Sequence, residues 1–279
     1  MKRFCYHHDD EDGWASAAIV ELKHPETDFQ ECHNDYAYDL VSGYDEVYVV
    51  DFSFSQVDFQ TLVAQNEKVI WIDHHKSAIA QISLELEGLR DSSRAACALT
   101  WLYCFPEHSL PPVIAHIEDV DLWKFSLEYT SEFLAYLNSL LLPGKEVGII
   151  KNILETYSEK DYASAYEIGE HISRFEKAGV TKQAHSGVRQ KLFGHEAVVF
   201  FASRQASLLG HIALDIYADA EIAVIIRYIE DTSGQRRFKY SLRSRHDEVD
   251  VSEIASRFGG GGHAGAAGFV SESLILADK

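Results

Sequence analysis

The sequence predicts an α/β protein with two domains, an N-terminal parallel-sheet domain and a smaller C-terminal α/β domain, joined by a helical connector. The first half alternates β-branched apolar runs with helix-like segments, which is typical of βαβ units. A β pattern returns after Gly194. With 279 residues, 46 % of them hydrophobic, the chain can bury a sizeable core. We predict domains at residues 1–160 and 194–279, with the connector at 161–193.

Three candidate strands organise the first domain, namely RFCYH, EVYVVDF and KVIWIDHH. Each run ends in, or next to, acidic or histidine residues. Because the carboxyl ends of parallel strands meet at one edge of a sheet, these side chains are expected to gather there. Ligands bind at this edge in open α/β folds.

Helical patterns follow from about Pro111 to Tyr157 and again from about Asp161 to Leu192. The second stretch carries apolar residues at helix spacing, Ala165, Ile168, Ile172 and Phe175. The second domain then offers the strand-like runs AVVFFAS, EIAVIIRYI and RRFKYSLRSR, the last two separated by the turn-like DTSGQ. A helix-like VSEIASRF and a glycine-rich segment follow.

The charge balance limits the partners. The chain has 25 Lys and Arg against 44 Asp and Glu, a formal net charge of −19. A protein without a basic surface gains little from counterion release along a phosphate backbone, so long nucleic acid is excluded as a partner. No apolar run approaches the roughly 18–20 residues that span a bilayer, and no signal peptide is recognised. We therefore expect a cytoplasmic protein without membrane association.

The first chemical cluster is the acidic run that follows the first strand and precedes the helix-like WASAAIVELK. His8, Asp10 and Asp12 alternate and can converge on one side of a turn, while Gly13 relieves the backbone where the helix begins. The alternative is a solvated acidic helix start that complements the helix dipole.

The second and third clusters follow the next two strands. Asp51 comes directly after VYVV, and a lone aspartate there is usually a turn or helix cap. Asp73, His74 and His75 end the strand VIWI. Neutral imidazoles beside carboxylates suit manganese or a similar divalent ion. A third strand that ends in ligands at the same edge favours a metal site.

These three clusters resemble the first three signatures of the DHH phosphoesterase superfamily, which is named after the Asp-His-His triplet. The family's fourth signature is an aspartate in a following helical region, where Asp121 and Asp119 are both candidates. Asp121 is preferred because the segment from Asp121 to Phe125 resembles the Asp-x-x-x-Phe form of related members. Asp119 is the runner-up, with a helix-surface carboxylate as the alternative interpretation.

The glycine segment contains the four consecutive glycines Gly259 to Gly262 and ends at His263. Residues Gly260 to Gly265 match the dinucleotide fingerprint G-x-G-x-x-G, but they follow a helix-like run rather than a strand, which excludes a Rossmann site. Four glycines before a helix would offer backbone N–H groups to an anion, with His263 as a further donor. The segment resembles the Gly-Gly-Gly-His signature of the DHHA1 domain, and Ser241 to Ser244 resembles a second substrate-contacting segment. Arg243 would suit phosphate. The implied substrate-binding residues are Ser241, Arg243, Gly260, Gly261, Gly262 and His263.

The resemblance implies two divalent metal ions, with Mn²⁺ expected and Mg²⁺ or Co²⁺ as alternatives. The implied ligands are His8, Asp10 and Asp51 for one ion, and Asp12, Asp51, His74 and Asp121 for the other. Crowded carboxylates would repel one another unless cations neutralised them. Asp73 is expected to orient a histidine, and His75 to donate to the scissile phosphate or leaving oxygen.

The implied function is metal-dependent hydrolysis of phosphodiester bonds in short oligonucleotides or linear dinucleotides, which releases nucleoside monophosphates. The alternatives are a cyclic-dinucleotide phosphodiesterase, a 3′-phosphoadenosine phosphate phosphatase, a polyphosphate or pyrophosphate hydrolase, and a nucleotide-binding regulator without turnover. A homodimer is left open. The complete ligand set disfavours the regulator, because a mere binder does not need six metal ligands arranged around water.

Overall fold

A computed structural model describes residues 1–32, 38–230, 234–245 and 249–277 of the chain. The chain divides into two units, Met1–Ser173 and Arg174–Lys279. The predicted α/β class is confirmed, because a parallel sheet with helices forms the first unit and a mixed sheet with helices forms the second. None of the helices in the described ranges is long and apolar enough to cross a membrane.

The sheet of the first unit has four strands, all parallel, in the order β2-β1-β3-β4. The strands are β1 (Arg3–His8), β2 (Asp28–Cys32), β3 (Glu46–Val50) and β4 (Val69–Ile72). Successive residues of β3 face opposite sides of the sheet, as strand geometry requires. Val47 and Val49 pack with Phe59 on one side, while Tyr48 and Val50 join the core on the other. The sheet is therefore buried on both faces.

Eight helices accompany this sheet in the described part of the first unit and at its boundary. They are α1 (Glu11–Lys23), α2 (Gln56–Gln65), α3 (Lys76–Gln81), α4 (Ala96–Cys104), α5 (Pro112–Asp121), α6 (Thr130–Leu140), α7 (Glu146–Thr156) and α8 (Glu159–Ala184). The largest core packs α1 and α4 to α8 together around Ile19, Ile117 and Phe133. The boundary between the units falls inside α8.

The second unit has a six-stranded sheet in the order β5-β6-β7-β8-β10-β9. Its elements are β5 (Val188–Leu192), β6 (His195–Phe201), α9 (Ala206–Ile216), β7 (Ile222–Glu230), β8 (Arg236–Ser244), α10 (Val251–Ser256), β9 (Gly261–His263) and β10 (Ala266–Ser271). Only β6 and β7 pair in parallel among these described strands. α10 packs on one face through Ile254, and α9 packs on the other through Leu209.

Three elements differ from the predicted ones. β2 has the sequence DFQEC, which shows no apolar alternation, so the pattern did not indicate a strand. β5 lies at the end of the stretch predicted as helix. The glycine segment was expected to precede a helix, but it forms β9 and pairs with β10. Residues 231–233 of the predicted turn lie outside the described residues.

Candidate metal centre

Three adjacent strands carry the cluster at one edge of the first sheet. His8 is the last residue of β1, Asp51 directly follows β3, and Asp73 to His75 follow β4. Because β1, β3 and β4 are neighbours and run in parallel, their carboxyl ends bring these side chains together. The predicted gathering of the strand ends is thus present in the structure.

The first acidic run both starts α1 and supplies the cluster. Asp10 caps α1, with Oδ1 accepting from the backbone N–H of Gly13 at 3.0 Å, while its Oδ2 lies 2.7 Å from Nδ1 of His8. Burial alone would raise the pKa of Asp10, but the hydrogen bond and charge of His8 outweigh burial and hold it well below its usual range. Asp10 therefore both caps the helix and belongs to the cluster.

Gly13 is needed for space rather than for an unusual backbone angle. A Cβ at this position would lie 2.3 Å from the carbonyl oxygen of His8. The first turn of α1 therefore packs directly against the end of β1, which fixes where Asp10 and Asp12 stand relative to His8.

Asp12 is held by the start of another helix. Its two carboxylate oxygens accept the backbone N–H groups of Ala96 and Cys97, at 2.8 and 2.7 Å. These amides belong to the first turn of α4, where N–H groups have no partner within the helix and favour negative charge. Asp12 is 2 % exposed. Sequence reasoning missed this contact, because nothing in ACALTWLYC marks an aspartate-binding helix start.

Asp51 is the most constrained residue of the cluster. Its φ angle is +53°, a left-handed value that non-glycine residues seldom adopt and that recurs at functional sites. Both carboxylate oxygens are buried and accept no hydrogen bond from the described residues. Burial, followed by the charges of Asp12 and Asp10, raises the pKa of Asp51 well above its usual value. A buried, unsatisfied carboxylate of this kind is suited to a cation.

His74 lies between the acidic groups. Its Nε2 atom is 3.4 Å from Oδ1 of Asp51, 3.6 Å from Oδ2 of Asp12 and 3.7 Å from Oδ2 of Asp121. Burial lowers the pKa of His74, which favours the neutral imidazole that binds metals. Asp121, the last residue of α5, is thereby joined to the cluster, and burial with the charges of Asp12 and Asp10 raises its pKa well above its usual value.

Asp119 points elsewhere. Its Oδ1 accepts the backbone N–H and hydroxyl of Ser126 at 2.9 and 2.7 Å, and its Oδ2 accepts the hydroxyl of Thr130 at 2.6 Å. The backbone N–H of Leu127 adds a bond at 3.1 Å. Burial would raise the pKa of Asp119, but these hydrogen bonds lower it to about 2. The structure thus brings Asp121 to the cluster and uses Asp119 to fix the turn after α5.

Asp73 organises His75 rather than the centre of the cluster. Its Oδ1 accepts from the Nδ1 of His75 at 2.7 Å and from the backbone N–H of His74 at 2.7 Å, and its Oδ2 accepts the hydroxyl of Ser53. Burial opposes ionisation, but these bonds lower the pKa of Asp73 to about 2. Although burial lowers the pKa of His75, the hydrogen bond and charge of Asp73 outweigh it and raise the pKa.

The cluster fits metal ions. Three sets of ligand atoms, each within 4.8 Å of one another, overlap in their members: Asp51, His74 and His75; His8, Asp10 and Asp51; Asp12, His74 and Asp121. Mixed carboxylate and imidazole ligands suit Mn²⁺ and related divalent ions. The unsatisfied oxygens of Asp51 and the raised pKa values of Asp51 and Asp121 indicate that ionised carboxylates are unfavourable here without a counter-charge. Bound cations would supply that charge.

The predicted substrate-binding residues lie in the second unit. Arg243 is tied down at the base of α9, with Nη2 donating to Oγ of Ser207 at 2.5 Å and Nη1 donating to the carbonyl oxygen of Leu242 at 2.8 Å. Burial lowers its pKa to about 10, so it keeps its charge at neutral pH. Ser241 is paired with Gly268 in the sheet and is half-buried.

The glycine segment is a tight hairpin rather than a helix start. A Cβ at Gly260 would lie 2.1 Å from the carbonyl oxygen of Gly268, and one at Gly262 would lie 2.6 Å from that of Ala266. The glycines are therefore required by the close pairing of β9 with β10. β9 lies at the edge of the sheet. An edge strand presents unpaired backbone N–H groups, so an anion could be bound here without a helix N-terminus. His263 and Gly261 are exposed on it.

One domain family and two curated proteins are similar to this chain in sequence. The sequence model of the DHHA1 domain matches residues 194–278. The chain is 29 % identical over 237 residues to the uncharacterized protein R106 of Acanthamoeba polyphaga mimivirus, covering 82 % of this chain and 53 % of that protein. It is 26 % identical over 243 residues to the oligoribonuclease NrnB of Bacillus subtilis strain 168, covering 80 % and 59 %. The chain thus spans little more than half the length of these relatives.

Two solved structures share the fold at low identity. The pGpG-specific phosphodiesterase PggH of Vibrio cholerae superposes with a TM-score of 0.54 at 15 % identity, covering 97 % of this chain and 93 % of that one. RecJ of Thermus thermophilus in complex with Mn²⁺ has a TM-score of 0.52 at 16 % identity, covering 96 % and 49 %. Residues 194–278 thus match the DHHA1 domain, and the chain as a whole is similar in sequence to NrnB and similar in fold to PggH and RecJ.

Proposed function

We propose that this chain is a divalent-metal-dependent hydrolase that cleaves phosphodiester bonds in short oligonucleotides or linear dinucleotides and releases nucleoside monophosphates. One observation carries the proposal: three sets of metal-ligand atoms meet at the strand ends and overlap, because Asp51 belongs to two of the sets and His74 also belongs to two. Shared ligands are what a pair of closely spaced ions requires.

Two divalent ions, Mn²⁺ in the first place, are the proposed cofactors. The proposed ligands are His8, Asp10 and Asp51 for one and Asp12, Asp51, His74 and Asp121 for the other, with Asp51 in both sets. A bound pair of this kind lowers the pKa of a water molecule and neutralises charge on a phosphate during displacement. Ligand chemistry supports the choice, as does the Mn²⁺ complex of the structurally similar RecJ.

The other residues of the cluster act on protons and orientation. Asp73 fixes the orientation of the His75 ring through the bond from Nδ1. We assign to His75, oriented in this way, the role of donor to the scissile phosphate or the leaving oxygen. The start of α4 holds Asp12 in one orientation, which limits the reorganisation that the reaction requires.

Short substrates are supported by charge and by the relatives. A net charge of −19 gives no surface that tracks a long phosphate backbone. One relative is named an oligoribonuclease, and one solved structure is a phosphodiesterase specific for the dinucleotide pGpG. We assign the grip on the rest of the substrate to the DHHA1 domain, through Ser241, Arg243 and the segment Gly260 to His263.

A substrate panel tests this function. The protein is stripped of metal, reloaded with Mn²⁺, and incubated with dinucleotides, tetranucleotides, a cyclic dinucleotide, 3′-phosphoadenosine phosphate and polyphosphate, with products separated by chromatography. We expect mononucleotides from the short linear substrates and at least a hundredfold loss with Asp51→Asn. The matched control is Glu67→Gln, which neutralises an exposed carboxylate before the amino end of β4, opposite to the edge that carries the cluster. If the metal-loaded protein hydrolyses none of these compounds, the proposal is overturned.

A further inference from the structure

The first turn of α4 is held by two carboxylates that come from elsewhere in the chain. Asp12 accepts the backbone N–H groups of Ala96 and Cys97. The second carboxylate is Glu118 of α5, whose Oε1 atom accepts the backbone N–H of Ala95 at 3.3 Å. Ala95 precedes α4 and its methyl group cannot cap the helix, so these N–H groups depend on distant side chains. The start of α4 therefore links α1 to α5.

Glu118 is itself bound by Arg94 through two hydrogen bonds. The Nε atom of Arg94 donates to Oε1 of Glu118 at 2.5 Å, and the Nη2 atom donates to Oε2 at 3.2 Å. The planar guanidinium group favours this two-point geometry, which fixes a carboxylate more closely than a single contact would. The side chain of Glu118 is 14 % exposed and that of Arg94 is 33 % exposed, so the pair is partly buried.

The position of Glu118 determines the position of Asp121, a proposed metal ligand. The two residues are three positions apart on α5, and residues at this spacing lie on the same face of a helix. The carbonyl oxygen of Glu118 also accepts the backbone N–H of Leu122 at 3.1 Å, which closes the last helical turn around Asp121. Glu118 is thus joined to α4 by its side chain and to the end of α5 by its backbone. A displacement of Glu118 would therefore displace Asp121.

Arg94 is also connected to the strand end that carries His74. The backbone N–H of Arg94 donates to the carbonyl oxygen of Asp91 at 3.3 Å, and the N–H of Asp91 donates to the carbonyl oxygen of Asp73 at 3.3 Å. Asp73 directly precedes His74. One set of metal-ligand atoms belongs to Asp12, His74 and Asp121. The segment from Asp91 to Cys97 is therefore bonded to the elements that carry all three of these ligands.

We propose that Arg94 is a positioning residue for the metal ion assigned to this ligand set. By fixing Glu118, Arg94 sets the distances from Asp121 to Asp12 and His74, and these distances set the affinity for that ion. The assignment rests on the proposed function and adds to its metal centre a residue that acts through another side chain. Replacing such outer partners of metal ligands typically lowers metal affinity by about 10–100-fold.

Two changes disrupt the pair without changing its net charge. Arg94→Lys keeps the positive charge but replaces the planar fork by a single ammonium group, and Arg94→Gln/Glu118→Gln removes both charges. A change in metal affinity then reports geometry rather than charge. The matched controls are Arg3→Lys and Arg3→Gln/Glu46→Gln, in a pair whose side chains are 19 % and 18 % exposed and whose Nε and Oε2 atoms are 2.5 Å apart. This pair lies at the amino ends of β1 and β3, at the edge opposite to the cluster.

Calorimetric titration of the metal-stripped full chain with Mn²⁺ measures the affinity for each ion, and thermal unfolding verifies that each variant is folded. We expect the double variant at Arg94 and Glu118 to lose about tenfold or more in affinity for one ion and to bind the other as the parent does. Arg94→Lys should show a smaller loss for the same ion, and it decides the question if the double variant does not fold. Parent-like affinities in the folded Arg94 variants, or equal losses in the controls at Arg3, would overturn the proposal.

The second arm follows hydrolysis of a dinucleotide as Mn²⁺ is raised. Arg94→Lys should need a higher Mn²⁺ concentration for half-maximal rate, recover the parent's kcat at saturating Mn²⁺, and leave KM for the dinucleotide unchanged. A raised KM with an unchanged Mn²⁺ dependence would place Arg94 on the substrate and overturn its positioning role. A parent protein that binds two Mn²⁺ ions but hydrolyses nothing would overturn the proposed function alone, because the titration needs no turnover. A parent that binds no Mn²⁺ would overturn the metal centre and this assignment together.

Discussion

The Nε2 atom of His74 lies 3.4 Å from Oδ1 of Asp51, and both side chains are 2 % exposed. Burial shifts both groups toward their neutral forms, since it lowers the pKa of the histidine and raises that of the aspartate. The pair therefore gains little as an ion pair. A cation bound by both would instead stabilise the ionised carboxylate beside a neutral imidazole, and several measurable properties depend on this.

Metal binding should stabilise the folded chain. Any ligand that binds only the folded state stabilises it, by about 2.7 kcal/mol at one hundred times its Kd. For units of 150 to 250 residues this corresponds to a rise in Tm of roughly 5–10 °C. Differential scanning calorimetry with Mn²⁺ and with excess chelator measures the shift. Identical Tm values under the two conditions would contradict the metal centre.

Asp51→Asn should stabilise the metal-free protein at neutral pH and abolish its response to Mn²⁺. Because the folded pKa of Asp51 is raised, its contribution to stability is present below its unfolded pKa and is lost as pH rises through the folded value. Removing the charge avoids this loss, so the Tm gain of the variant should shrink toward pH 4. Calorimetry between pH 4 and pH 8 checks the trend, with Glu67→Gln as control. A metal-free variant that is less stable than the parent at pH 8 would argue against the assignment.

Asp121→Asn and Asp119→Asn should separate a ligand from a structural carboxylate. We expect the first variant to lose about half of the bound Mn²⁺, because Asp121 belongs to one ligand set only. The second should keep its metal but lose about 1–3 kcal/mol of unfolding free energy, the cost of disturbing buried hydrogen bonds to Ser126 and Thr130. Metal analysis of the purified proteins and urea unfolding give the two readouts. The reverse pattern would make Asp119 the ligand.

His263→Ala and Arg243→Ala should raise KM for a dinucleotide while leaving hydrolysis of a small chromogenic phosphodiester nearly intact. Loss of binding that is equal in ground and transition states changes KM, whereas loss of a transition-state contact lowers kcat as well. Because Arg243 also bonds Ser207 at the base of α9, its variant needs a thermal-stability measurement beside the kinetics. Equal damage to both substrates would place these residues in the chemical step.

Hydrolysis should be fastest for strands of two to about four nucleotides. Further phosphates would meet a chain of net charge −19, which repels them. The penalty on longer strands should become smaller as salt screens the repulsion. Rates measured on a series of lengths at two ionic strengths test both statements. Rapid, processive degradation of strands of twenty nucleotides at low salt would contradict them.

The location of the candidate centre was predictable because strand ends are easy to read. His8, Asp51 and His74 each follow an apolar run, and parallel strands carry such residues to one edge whatever the details of packing. The choice between Asp121 and Asp119 needed the structure, since both lie in the same helix two residues apart. Only the hydrogen bonds of the turn after α5 show which carboxylate is already engaged.

Other features depend on contacts that local sequence does not encode. β2 has a polar pattern because it lies at the edge of its sheet, so periodicity could not reveal it. Four consecutive glycines suit an anion-binding loop before a helix as well as a close hairpin. The positions of Gly268 and Ala266 decide for the hairpin, and these lie on the partner strand.

The hydrogen bonds between Asp12 and the first turn of α4 determine when, during synthesis, the candidate metal centre can form. The contact joins residues 84 and 85 positions apart, so no fragment that ends before Cys97 can complete it. At synthesis rates of about 5–20 residues per second, that separation corresponds to roughly 4–17 s between the emergence of Asp12 and of its partner amides. Throughout that interval the nascent chain carries exposed carboxylates and histidines that bind cations only as a flexible peptide would. We therefore expect the ion assigned to Asp12, His74 and Asp121 to be retained only after α4 has docked, so that a stalled or truncated chain would fail to retain that ion.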